Sequence, residues 1–360
     1  MTKNRFAWIC FFILFAPTVW AGGVTPFGKE KPIKLADFRP HPHGMEWYGE
    51  QWSHGVWTDK GRHFVGVDFV ISNVGFGDHK ATFKAAYKHA DGTQTKCKAE
   101  FDSDEWSWSK QGFSIQAGKN KISGDLKGLN IHAQCGAMTM DLRFENEVAP
   151  LRPGGGKLVY GQDGIYDMMF TSPRAKVSGS AKIGGKTIPI HGWGHADHSY
   201  TTMAPHKSVR RWFRFKHVTK DISILMAELQ TPVQYAGGRH GWVMLLSSKG
   251  RHIATAKVRY GFDGFIKDEK SEEGYRIPRR VSIKASEGES KLEGQVLMTS
   301  LKSVKDPTAS WGGLARTIAR RVSKPRDYRM NCAYQLTFSS QGGSSKLQGE
   351  GDYQYFFINP

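Results

Sequence analysis

The sequence predicts an all-β protein built as two consecutive antiparallel units. Three observations carry this: apolar and polar residues alternate with period two, turn signals interrupt the alternation at short intervals, and no strand-helix alternation of the α/β kind occurs. In "HKATFKAAYKHADGTQTKCKAEF", Ala81, Phe83, Ala85 and Tyr87 share one face while Lys80, Lys84 and Lys88 take the other. Asp91-Gly92 supplies the turn, and Lys96, Lys98 and Glu100 resume the wet face. In "RHFVGVDFVISNV" the shared face is Val65, Val67, Phe69 and Ile71. Further on, "RRVSIKASEGESKLEGQVLMTSL" reads as a hairpin around Ser286 to Glu289, and "NCAYQLTFSSQGGSSKLQGEGDYQYFFIN" as one around Gln341 to Ser345. Successive hairpins of this kind build barrels or sandwiches, and 360 residues suit two domains.

The first residues set the expected compartment. Lys3 and Arg5 precede the apolar run Phe6 to Val19, and Val19-Trp20-Ala21 has the small-residue pattern that a signal peptidase reads. Residues 1–21 are therefore expected to be a cleaved signal peptide, and the mature protein periplasmic, with secretion as the alternative. The run is shorter than the roughly 20 apolar residues of a membrane span. Three cysteines follow it, Cys97, Cys135 and Cys332. An odd number in an oxidising compartment allows at most one internal disulfide. Cys97 and Cys135, both in strand-like sequence of the first half, are the expected pair. There is no Cys-x-x-Cys spacing to suggest a thiolate zinc site.

The net charge of +18 gives long-range attraction to polyanions. No nucleic-acid motif accompanies it and an exported chain rarely meets nucleic acid, so nucleic acid is not an expected partner; peripheral contact with an anionic membrane fits the compartment better, and plain solubility is the competing explanation. One segment breaks the β pattern. In "DPTASWGGLARTIARRVSKPRD", Trp311, Leu314, Ala315, Ile318 and Val322 recur at helical spacing, opposite Arg316, Arg320, Arg321 and Lys324. A short basic amphipathic helix of this kind most often caps a barrel end. It can also lie in an anionic membrane surface, through Trp311, Arg316, Arg320 and Arg321.

The stretch "HGWGHADHSYTTMAPHK" at 191–207 concentrates histidines and an aspartate. It follows a strand and a Gly184-Gly185-Lys186 turn. In an extended strand His191, Trp193, His195 and Asp197 point one way, and His198 and Tyr200 the other. A buried carboxylate beside imidazole can hold a shifted pKa and move protons; it can equally be a hydrogen-bonded structural group at a barrel junction. As metal ligands, His191, His195 and Asp197 stand roughly 7 to 13 Å from one to the next at the strand rise, so no metal is expected there, although His206 or His240 could converge on them. "RPHPHGMEW", with His41 and His43, reads as an extended, solvated arm because of its prolines.

The order "GIYDMMFTSPRAKVSGSAKIGGKTIPIHGWGHADHSY…HKSVRRWFRFK", together with "EWYGEQWSHGVWTDKGRHFVGVDFVISN", resembles the double-lipocalin superfamily. That superfamily includes the yeast survival-factor lipid-binding proteins, AttH-type bacterial proteins and the carotenoid 1,2-hydratases (hydroxyneurosporene synthases). The resemblance implies two consecutive antiparallel lipocalin-like β-barrels, 22–204 and 205–360, with the short basic helix in the second, and an apolar cavity for a long hydrophobic molecule. Its ligand is implied to be a lipid that the protein binds, with transport of that lipid as the further implied role and no cofactor; Trp193, Trp212, His191, Tyr200 and Trp242 are the expected ligand-binding residues. In the hydratase branch an aspartate of the glycine-rich strand protonates an isoprenoid double bond. Asp197 matches that aspartate, with His195 and His198 as its catalytic neighbours. This chain departs from that branch at His195, where a tyrosine is usual, and at Ser199-Tyr200, which replaces Asn-Trp. "FTSPRAKVSG" and "HKSVRRWFRF" are closer to the survival-factor branch, which binds and moves sphingolipid-type molecules.

Overall fold

The computed structural model describes residues 24–25, 31–58, 63–73, 78–309 and 313–359. The expected signal peptide and Trp311 lie outside them. Two large antiparallel sheets account for nearly all of the regular structure. The first sheet contains β1 (Gly49–Thr58), β2 (His63–Ser72), β3 (Lys80–Lys88), β4 (Gln94–Phe101), β5 (Trp106–Trp108), β6 (Phe113–Ala117), β7 (Asn120–Asp125), β8 (Gly128–Cys135), β9 (Met138–Val148), β10 (Lys157–Val159), β11 (Ile165–Ile183) and β12 (Lys186–Thr201). Its order is β4-β3-β2-β1-β12-β11-β9-β8-β7-β6-β5, with β10 added to β11.

A short helix α1 (Pro205–Ser208) leads to the second sheet: β13 (Arg211–Val218), β14 (Ile222–Gln230), β15 (Arg239–Ser247), β16 (Gly250–Thr255), β17 (Val258–Asp263), then β20 (Arg280–Glu287), β21 (Ser290–Lys305), β22 (Arg326–Ser340) and β23 (Gly343–Phe357). Strands β18 (Ile266–Lys267) and β19 (Arg276–Ile277) form a separate two-stranded ribbon. The second order is β16-β15-β14-β13-β23-β22-β21-β20-β17. Both sheets curl into nearly closed barrels. In the first, β4 packs back onto β8, and Cys97 is joined to Cys135 across them. In the second, β16 meets β20 and β15 meets β17. Curling in this way hides the sheet edges that an open sheet would present.

The predicted alternation holds where it was read. Ala81, Phe83, Ala85 and Tyr87 are buried in the first barrel together with Val65, Val67, Phe69 and Ile71. The hairpin turns fall between β3 and β4, β11 and β12, β20 and β21, and β22 and β23. The barrel interiors differ from the cavity-bearing expectation, because aromatic side chains fill them. Trp52, Phe69, Phe83 and Phe144 pack the first, and Phe213, Tyr328, Tyr353 and Tyr355 the second. Side chains of this size occupy the lumen of a barrel of eight or nine strands.

A third apolar cluster, with Phe170, Leu225, Trp242 and Met244 at its centre, joins the two barrels. Here β11 is buried on both sides from Met169 to Ala175. Register shifts at Phe170/Ser172 and Ser172/Ala175 bulge the strand and re-aim its side chains. As a result Arg174 leaves the first barrel and enters the β13–β14 turn of the second, donating to Thr219 O at 3.0 Å, Lys220 O at 2.7 Å and Ser223 Oγ at 2.8 Å.

The predicted helix is α2 (Gly313–Val322). Arg316 pairs with Asp306 at 2.9 Å and Arg320 with Glu272 at 3.2 Å, while Arg321 is exposed. Two of the three arginines expected to meet a membrane therefore bind acids of their own chain. Cys332 is buried as a free thiol, and burial pushes its pKa up to about 12. Because the thiolate is the reactive species, protein lacking residues 1–21 should show no thiol reactive to Ellman's reagent when native and one after unfolding; a native reactive thiol would contradict the disulfide and burial assignments.

Candidate functional site

The glycines of "HGWGH" let β12 lie close against β1. A Cβ on Gly192 would stand 2.2 Å from Trp57 O, and one on Gly194 2.5 Å from Gly55 O, so neither position accepts a side chain without displacing backbone. In the resulting register Ser53 lies opposite Asp197, Gly55 opposite His195 and Trp52 opposite His198. Strand alternation then divides the motif as its spacing predicts. His198 turns into the first barrel and stacks on Trp52, with centroids 4.3 Å apart. Asp197 turns outward, toward the second barrel.

Between the barrels lies a cavity of about 320 Å³. Its apolar wall includes Met168, Phe170, Leu225, Ala227, Trp212 and Trp242. Its polar groups include Asp197, Tyr166, Arg214, Lys216, Glu228 and His240. The second barrel supplies its share through the same alternation: Phe213 and Phe215 face its core, so Trp212, Arg214 and Lys216 face out.

The electrostatics follow from burial of Asp197, Lys216 and the neighbouring His195. Burial raises the Asp197 pKa against the opposing pull of Lys216 and Arg214. Burial lowers that of Lys216, which Asp197 partly restores. His195 sits between the rings of Trp57 and Phe170 with Nδ1 3.8 Å from Asp197 Oδ2. Burial holds its pKa well below the usual 6.5, and the Lys216, His54 and Arg214 charges push the same way. It is therefore a neutral imidazole at neutral pH. Among the described residues neither His195 nitrogen has a hydrogen-bond partner, nor has Trp212 Nε1. Trp212 stacks on Phe356 at 4.5 Å and carries the Arg214 guanidinium over its ring at 4.9 Å. Glu228 is ion-paired with Arg239 at 2.8 Å.

Of the residues singled out from sequence, Asp197, Tyr200, Trp212 and Trp242 line this cavity. His191 is exposed on the far part of β12, and Trp193 packs in the inter-barrel apolar cluster rather than in the cavity wall. His198 cannot form a catalytic pair with Asp197, since alternation places the two on opposite faces of β12; its Nε2 instead meets Glu50 Oε1 at 2.6 Å. His206 and His240 do not join Asp197 in a metal site. Among the described residues the group close enough to share an ion is His41, Glu50 and His198. The solvated-arm reading of His41 is corrected as well: its ring stacks on Tyr200 at 4.7 Å and its Nδ1 meets Glu50 Oε1 at 2.8 Å. Lys216, Arg214, Tyr166 and Glu50 were missed. For the first two a signal existed, since in "RRWFRFK" the cations share the strand face of Trp212, the face that meets the other barrel.

The profile of the Svf1 family matches residues 56–310. No curated protein matches the chain by sequence. Among solved structures, an AttH protein from Nitrosomonas europaea is similar with a TM-score of 0.56 and 14% identity, over 92% of this chain and 98% of that one. CghA gives 0.59 and 9%, over 94% and 98%. Kievitone hydratase from Nectria haematococca gives 0.55 and 12%, again over 94% and 98%. At these identities the likeness establishes the two-barrel lipocalin-like fold.

Proposed function

The chain belongs to the Svf1 family, and on that basis we propose that it binds an amphipathic hydrophobic molecule, a lipid or a compact terpenoid-like compound, between its two barrels. The observation that carries this is one cavity in which apolar walls meet a few polar groups: Asp197 and Lys216 desolvated by burial, the exposed Arg214 at the margin, and Trp212 Nε1, which has no hydrogen-bond partner among the described residues. Pockets of this make-up hold the body of a ligand by area and orient its polar end by a few convergent groups. A volume of about 320 Å³ is at the lower end of the usual range of roughly 300 to 1,000 Å³, so a long lipid would be held by its head and adjoining segment. The similar fold of CghA, which has also been solved with Sch210972, supports a ligand-binding use of this architecture.

Export to an oxidising compartment is part of the proposal. The Cys97–Cys135 disulfide and the apolar run after Lys3 and Arg5 support it. The charge of +18 favours loading and unloading at an anionic membrane surface.

A second reading is acid-base catalysis on an alkene, favoured by Asp197: burial raises its pKa, in the direction that favours the protonated carboxyl, beside an apolar wall, and kievitone hydratase shares the fold. Two variants separate the readings. Ala227→Trp, on the cavity wall, should weaken uptake of the fluorescent fatty acid cis-parinaric acid at least tenfold while the circular dichroism spectrum stays unchanged; undiminished uptake would place binding elsewhere. Asp197→Asn should keep ligand uptake in a binder, and should abolish turnover of an isoprenoid alkene in an enzyme.

A further inference from the structure

We propose that His41, Glu50 and His198 form a binding site for one divalent transition-metal ion of the zinc class. The site is separate from the ligand proposal and stands or falls without it.

The donor set is two imidazole nitrogens and one carboxylate, which is the set zinc takes in many three-residue sites. The donor atoms all lie within 4.8 Å of one another. His41 Nδ1 is 2.8 Å and His198 Nε2 2.6 Å from the same oxygen, Glu50 Oε1. Around a tetrahedral ion with bonds of about 2.0–2.1 Å, donors stand about 3.3 Å apart. Each imidazole then has to withdraw by about half an ångström, and each can do so by sliding in its own plane. That plane is already fixed, for His198 by stacking on Trp52 and for His41 by stacking on Tyr200, with interplanar angles of 14° and 16°. A ligand imidazole is usually oriented by a hydrogen bond to its second nitrogen. Among the described residues His198 Nδ1 has no such partner, and the Trp52 stack performs that orientation.

Charge balance points the same way. Glu50 is only 1% exposed. Among the described residues its ion-pair partners are these two imidazoles, with no lysine or arginine. A buried carboxylate needs a counter-charge, and a divalent ion held between the two imidazoles and Glu50 would supply one. Access exists because the His41 side chain keeps 34% of its surface. The Pro40-His41-Pro42 segment is held in place by the His41 backbone N–H, which donates to Glu50 Oε2 at 2.7 Å. Glu50 and Tyr200 also border the inter-barrel cavity, which puts the site at the cavity margin.

The test uses tag-free protein stripped with EDTA and titrated with Co²⁺, then with Zn²⁺. The expected result is one equivalent of Co²⁺ with visible absorption of a four- or five-coordinate ion, displaced by Zn²⁺. His41→Ala should weaken binding at least 100-fold, and so should His41→Gln, which keeps a donor toward Glu50 and so protects the fold. His43→Ala should bind as the parent does. Absence of saturable Co²⁺ binding, or binding that survives both His41 substitutions, would overturn the proposal and leave the cluster a hydrogen-bonded clamp.

Discussion

Replacing Arg174 with alanine should destabilise the protein by about 3 to 5 kcal/mol, the usual cost of removing one partner from a buried ionic network. Arg174 is fully buried at 0% exposure. It is ion-paired with Glu147 at 2.7 Å and donates to two carbonyls and a hydroxyl at the β13–β14 turn and the start of β14. Deleting it leaves Glu147 without its counter-charge and strips Thr219 O and Lys220 O of their donors at a barrel interface. Arg174→Lys should recover little of the loss, because an ammonium cannot reproduce the planar fork that reaches four groups at once. Urea unfolding measures both variants. A loss below about 1 kcal/mol for Arg174→Ala, the range of exposed ion pairs, would show that the guanidinium does not join the barrels.

Acid should destabilise the metal-free protein in two separable windows. Glu50 is the later one. Its burial alone would raise its pKa, but hydrogen bonds from His198 and His41, and their positive charge, outweigh burial and hold it at about 2 instead of 4.5. A depressed carboxylate pKa contributes stability that is present above pH 4.5 and is lost as the pH falls toward 2. At 1.36 kcal/mol per unit the loss is about 3 kcal/mol. His54 gives the earlier window. Burial lowers its pKa from 6.5 to about 4, against a weaker opposite pull from Val67 O and Asp68. The unfolded chain then takes the proton first, so stability starts to fall below pH 6.5 and this part is complete near pH 4. Urea midpoints measured from pH 7 to 2 should show both declines, and Glu50→Gln should flatten the one below pH 4.5. An unaltered slope in that variant would mean that Glu50 is not held ionised.

Local physics made much of the fold readable in advance. Alternation in "ATFKAAY" and "FVGVDFVIS", and the Asp91-Gly92 and Gly184-Gly185 turns, are properties of a few adjacent residues, and the strands appear where those properties put them. The division of "HGWGHADHSY" between two faces was legible for the same reason. What could not be read were the contacts made across the sheets. Glu50 meets His198 only because β1 pairs with β12, 148 positions apart in the chain. Lys216 reaches the surroundings of Asp197 only because one barrel packs its outer face on the other. The ligand space itself lies outside both barrels, since aromatic side chains such as Phe69, Phe83, Tyr353 and Tyr355 fill each lumen. Prolines around His41 suggested a solvated arm because proline favours extended chain; an extended segment can still lie against a barrel mouth, and this one does.

The claim on which the rest depends is that the space between the barrels holds an amphipathic hydrophobic molecule. The most direct measurement is native mass spectrometry, followed by organic extraction, of the protein purified without detergent from its own cellular source, run alongside Ala227→Trp. One amphiphile per protein molecule, present in the parent and missing from the folded variant, is the predicted result. A parent that is empty and takes up no lipid or terpenoid offered to it, or a variant that carries as much ligand as the parent, would contradict it.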